Sequence, residues 1–142
     1  MATPHATRGQ EPSFSPSTLT RATQVALVLN ALAHGAASLG MALGLGPHAA
    51  EQPNMGRRAA AAGFAAVVMF LFVAMRLRRD ASLIVLPMAF VFFNLADSAY
   101  GLLAKREASS LPPAVAETIF LLVYAAFVVM HRSARNAAGT VR

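Results

Sequence analysis

Three polar stripes interrupt otherwise greasy runs in this chain, and they carry the residue types able to do chemistry. In "FVFFNLADSAYGLLAKRE", Asn94, Asp97, Ser98 and Gly101 fall at i, i+3, i+4 and i+7 and so share one helical face. In an earlier run Asn30, His34 and Ser38 follow at i, i+4 and i+8, and in the last run Glu117 and Tyr124 lie two turns apart. A neutral carboxylic acid that donates a proton, opposite a second acid or an imidazole that accepts one, is the chemistry this set can perform. Asp97, Glu117 and His34 are therefore the candidate catalytic groups, with Asn30, Asn94, Tyr100 and Tyr124 as candidate substrate-binding residues.

Each of these residues has a plainer alternative. Asn30, Asn94, Ser38 and Ser98 serve as hydrogen-bonding glue between helices, and a histidine such as His34 can be a satisfied core residue. Glu117 lies close enough to the start of its run to favour the positive end of a helix dipole or to reach headgroup water. Tyr100 and Tyr124 have the type of an interfacial anchor, although Tyr124 is deep for that role. Asp97 is the hardest to treat this way, because an intramembrane acid is costly and an apolar residue would serve the packing better.

Other site chemistries lack their residues. With no Cys, thiolate metal sites, disulfides and thiol catalysis are excluded. The helical His-x-x-x-His and Glu-x-x-His spacings are missing, so no metal site is expected. Of the four histidines only His34 lies within an apolar run, which leaves haem short of an axial pair. No phosphate-binding loop, dinucleotide fingerprint or Gly-x-Ser-x-Gly elbow is present, and no cofactor is expected.

The elements that must position these residues follow from composition. The 142 residues are 56% hydrophobic and only 13% charged, the profile of a small integral membrane protein. The net charge of +6 sits between apolar runs rather than along a face with stacking aromatics, so no nucleic-acid partner is expected. Four runs, at about 22–46, 58–76, 81–104 and 111–131, approach the roughly 17 to 25 residues a membrane-crossing helix needs. The alternation of a membrane barrel is absent. The expected fold is all-α, an integral membrane four-helix bundle over residues 21–132. A disordered, Pro-, Ser- and Thr-rich tail is expected at 1–20 and a short basic tail at 133–142. The first apolar run starts too late for a cleaved signal peptide and is expected to remain in the mature protein.

Basic residues set the expected orientation. The side carrying both ends of the domain and the loop Arg76–Asp80 collects Arg8, Arg21, Arg76, Arg78, Arg79, Arg132, Arg135 and Arg142, against Arg57, Arg58, Lys105 and Arg106 opposite. The positive-inside rule then puts both termini in the cytoplasm, in a multi-pass inner-membrane protein. Counting about 1.5 Å per residue from the outer ends, Asp97 lies about 10 Å deep, Glu117 slightly less, and Asn94 and His34 nearer the midplane. Asp97, Glu117 and His34 are expected to meet in one outward-opening polar pocket. Ala36, Gly40 and Gly44, and Ala59 with Gly63, recur every fourth residue and suit close helix packing, within the chain or across a homodimer seam. Pro87 either kinks the third helix or marks its start, and Ser110 with Pro112 and Pro113 reads as a helix beginning.

The span number, the "RLRRDA" inner loop and a third run "FNLADSAYGLL" leading to "LPPAVAETIFLL" resemble the DoxX-like group of small four-helix bacterial membrane proteins. That resemblance implies an accessory membrane subunit or an uncharacterised membrane enzyme. Three functions stay open at the level of sequence. One is an isomerase, cyclase or hydrolase acting on a hydrophobic small molecule, and another is a non-catalytic subunit held to a membrane-protein partner or to further copies of itself. The third, a proton-coupled carrier, is weakened by the lack of evident inverted repeats. In each case the lipid bilayer is the surrounding partner.

Overall fold

The computed structural model describes residues 16–45 and 53–139. Its helices are α1 (Pro16–Ala42), α2 (Pro53–Arg76), α3 (Val85–Leu103) and α4 (Leu111–Gly139), with short 3₁₀ turns at Ala81–Ile84 and Ala108–Ser110. All four are long and apolar enough to cross a membrane, and this is an all-α membrane four-helix bundle. Of the expected N-terminal tail, residues 1–15 lie outside the described residues; residues 16–20 already belong to α1.

Proline and glycine place most of the boundaries. Helices α1 and α2 both open on a proline, whose missing N–H would have had no partner in a first turn. Helix α1 stops at Ala42, short of the expected 46, because Gly44 adopts φ +75°. The Gly44 N–H donates to the Met41 carbonyl at 3.2 Å and the Leu45 N–H to the Gly40 carbonyl at 2.9 Å. This paired closure is a Schellman cap, so Gly44 ends the helix instead of extending a small-residue stripe. Pro87 is buried near the beginning of α3 and marks its start rather than a kink. Pro112 and Pro113 occupy the first turn of α4, which then runs beyond the expected end near 131.

Both links around α3 are tightly built. Between α2 and α3 the Asp80 carboxylate accepts the Ser82 N–H at 3.0 Å and the Ser82 hydroxyl at 2.5 Å. These two bonds hold the exposed Asp80 carboxyl below its ordinary value near 3.8. Between α3 and α4 Arg106 takes the left-handed φ of 58°, unusual for a residue with a Cβ. The Glu107 N–H then reaches back to the Gly101 carbonyl at 3.0 Å.

The helices form a ring in chain order, closest between α1 and α2 and thinnest between α2 and α3. Leu27, Phe70, Val73, Ile84, Val91, Tyr124 and Phe127 fill the interior. Leu32, Val68, Phe93 and Leu122 point outward, as suits helices solvated by lipid. At one end the Arg76 guanidinium lies 5.8 Å from the Phe72 ring centroid, and at the other the Lys105 ammonium lies 5.6 Å from that of Tyr100. Cations paired with aromatics in this way suit the two membrane–water boundaries. The beginning of α1, the α2–α3 link and the end of α4 share the arginine-rich end.

Candidate functional site

The close pairing of α1 with α2 and the crossing of α1 with α4 bring the first and last polar stripes face to face. Asn30, His34 and Ser38 point inward from α1, while Glu117 and Tyr124 point inward from α4. His34 Nε2 stands 3.3 Å from Glu117 Oε1. Further toward the arginine-rich end, the Asn30 amide donates to the Tyr124 hydroxyl at 3.3 Å. Both Asn30 and Tyr124 are completely enclosed, so Tyr124 is a core residue and not an interfacial anchor.

Aromatic rings wall the pair. His34 stacks on Phe70 of α2 with centroids 5.6 Å apart and meets the edge of Phe90 of α3 at 5.1 Å. Phe70 and Phe90 in turn meet edge to face at 5.6 Å, across the seam where the bundle is thinnest. Sequence reasoning missed these two phenylalanines, since an aromatic in a spanning helix carries no mark that distinguishes a wall of a site from a lipid-facing ring.

Polar atoms exceed their partners in this interior. Glu117 Oε2, Ser38 Oγ and Asn94 Nδ2 are buried, with no hydrogen-bond partner among the described residues. A buried group in this state costs the desolvation of its lost hydrogen bond, so the interior retains polar capacity that packing alone does not use. Ser38 lies against Gly63 of α2, where a Cβ would fall on its hydroxyl and come within 3.2 Å of its Cβ. Gly63 thus serves contact between α1 and α2 within the chain. Gly40 faces open space, with nothing within 4 Å of where a Cβ would stand.

The expected meeting of three titratable groups is realised only for His34 and Glu117. Asp97 is exposed on the outer side of α3, although Asn94 one turn earlier turns its amide nitrogen inward. The reason is angular: residues three apart on a helix differ by about 60° in direction, enough to carry Asp97 past the edge of the buried face. Tyr100 is likewise exposed, beside Lys105 at the end of α3, and stands apart from the His34–Glu117 pair. Among the described residues no three His, Cys, Asp or Glu side chains gather closely enough to hold a metal ion.

The arrangement can pass a proton between an imidazole and a carboxylate inside an apolar bundle. His34 and Glu117 can exist as imidazolium and carboxylate or as imidazole and carboxylic acid, one form ready to give a proton and the other to take it. Comparison of the chain with protein-family models, with curated proteins and with solved structures returned no match.

Proposed function

We propose that this small multi-pass membrane protein is an enzyme that moves a proton within a hydrophobic small molecule drawn from the bilayer. The observation that carries the reading is the His34–Glu117 pair at 3.3 Å, with Glu117 Oε2 buried and unpartnered beside it. A base that removes a proton and an acid that returns it elsewhere on the same skeleton complete an isomerisation with no other reactant. Burial behind Phe70 and Phe90 keeps bulk water from competing for that proton. The thin α2–α3 seam that these rings close is the natural lateral path for an apolar substrate. The resemblance to DoxX-like proteins is compatible with such an enzyme, and the arginine distribution supports cytoplasmic termini in an inner membrane.

Deuterium exchange tests the reading without knowledge of the substrate. The purified protein is incubated in D₂O with the hydrophobic extract of its host membranes, and metabolites are screened by mass for label. Catalysed exchange into a defined carbon position is expected, falling about 100-fold to 10⁴-fold in Glu117→Gln, as for loss of a general acid or base. No enzyme-dependent label, or equal labelling by Glu117→Gln with its helical content intact, would sink the proposal.

One observation favours a second reading, that of an accessory subunit. Asp97 is exposed about 9 Å below the end of α3 at Leu103, a position where lipid is a poor neighbour for a carboxylate. A partner helix, from this chain or another, would relieve that cost. Under this reading Asp97→Leu alters the mass of the detergent-solubilised assembly on a native gel, and an unchanged monomer in both forms counts against it.

A further inference from the structure

A large cavity lies far from the histidine–glutamate pair, at the arginine-rich end. It has a volume of about 760 Å³ and is bounded by the beginning of α1, the α2–α3 link and the far part of α4. Arg21, Arg78, Arg79, Arg132 and Arg135 line it, contributed by three separate segments that meet only in the fold. Among the described residues none of these guanidinium groups pairs with a carboxylate. The one acid among the described lining residues is Asp80, whose Oδ1 already accepts both Ser82 donors. All five guanidinium-bearing side chains are exposed, and like charge gathered from three segments at one place attracts an anion. Arginine's planar fork of donors matches the oxygens of a phosphate.

The rest of the wall is mixed, with Ser17, Thr20, Asp80, Ser82 and His131 beside apolar side chains. Leu77, Ile84 and Phe127, all buried, form the side toward the bundle. A second cleft of about 260 Å³ adjoins, sharing Thr20, Phe127 and His131 with the first and adding Leu19, Met130, Ser133 and Ala134. A charged chamber continuous with a greasy cleft suits a molecule with an anionic head and a hydrocarbon body. The cavity also lies at the ends of the apolar spans, near Ser17, Ala81 and Asn136, which is where a bilayer would set its headgroups.

We propose that this cavity is a binding site for an anionic phospholipid, its phosphate held by the arginines of α1, the α2–α3 link and α4 and an acyl chain laid along the cleft between α1 and α4. The site is independent of the proton-transfer reading. It gives the bundle a fixed lipid at the point where the beginning of α1, the α2–α3 link and the far part of α4 converge, and ties the three segments together through one shared anion.

The full chain in mild detergent, where membrane orientation no longer bears on the measurement, is delipidated and offered phosphatidylglycerol, phosphatidylcholine or inorganic phosphate, with binding read by native mass spectrometry. Retention of phosphatidylglycerol over phosphatidylcholine is expected. Its affinity should fall about fivefold for each arginine removed, so about 25-fold in Arg78→Gln/Arg79→Gln and again in Arg132→Gln/Arg135→Gln. The pairs lie on different segments, so one remains informative if the other misfolds. Arg57→Gln/Arg58→Gln, at the opposite end, should leave affinity unchanged. Equal retention of the two lipids, or an equal loss in the Arg57 and Arg58 control, would overturn the site. Inorganic phosphate that binds as tightly as the lipid would overturn its assignment to a lipid and assign the cavity to a soluble phosphate compound.

Discussion

Replacing Gly63 by alanine should destabilise the bundle, while the same change at Gly40 should not, although both glycines lie in runs of small residues. At Gly63 the new methyl would fall on the Ser38 hydroxyl and within 3.2 Å of the Ser38 Cβ and 3.7 Å of the His34 carbonyl oxygen. Overpacking of this kind costs about 1–3 kcal/mol, offset by up to about 1 kcal/mol from the better helix propensity of alanine. Ser38 can relieve it only by turning about χ1, where a helix disfavours one of the three wells. A net loss of about 1 kcal/mol, and at most about 2 after the full offset, is therefore expected. At Gly40 nothing lies within 4 Å, so the propensity gain stands alone and stability should hold or rise slightly.

Ser38 supplies an internal control. Its hydroxyl is buried without a partner among the described residues, so Ser38→Ala removes an unsatisfied group at little cost. Combined with Gly63→Ala it also removes the atom the new methyl strikes, and the double variant should recover about 1 kcal/mol relative to the sum of the single changes. Unfolding in mixed detergent with increasing dodecyl sulfate, followed by far-ultraviolet circular dichroism, reads all four stabilities. Additive effects, or a Gly40→Ala variant as unstable as Gly63→Ala, would refute the contact between α1 and α2 on which the inward aim of His34 rests.

Two further changes probe the polar interior and the link. Tyr124→Phe strips the Asn30 amide of its partner and should cost about 0.6–1.7 kcal/mol in the same unfolding assay, a range set by measured hydrogen bonds between membrane helices. Asn30→Leu in that background should restore part of the loss by removing the stranded amide. Asp80 should titrate below 3.8 by carbon NMR and return part of the way in Ser82→Ala, because that change removes the hydroxyl bond, the larger lowering cause, and keeps the backbone N–H bond. Since the folded state lowers this pKa, its contribution to stability is full above the unfolded value and is lost as pH falls through the lowered one. The α2–α3 link should thus be insensitive to pH near neutrality and loosen only in acid, and an Asp80 midpoint above 3.8 would contradict the geometry.

The bundle was legible in the sequence because a bilayer imposes a length on each apolar run and penalises every charge within it. Boundaries were less so, and Gly44 shows why: the spacing that marks a packing stripe also suits a left-handed cap, and only the backbone bonds from Gly44 and Leu45 distinguish them. The polar residues followed the same division. Sequence periodicity states which residues of one helix lie near each other, but says nothing of the direction in which that helix is turned. For α1 and α4 the turning brings His34 to Glu117 and Asn30 to Tyr124; for α3 it takes Asn94 inward and leaves Asp97 outside. The cost of an intramembrane acid is thus met in two different ways in one chain. Glu117 meets an imidazole inside the fold, whereas Asp97 is exposed on the outer face of α3, so the first acid is answered within the bundle and the second only by its surroundings.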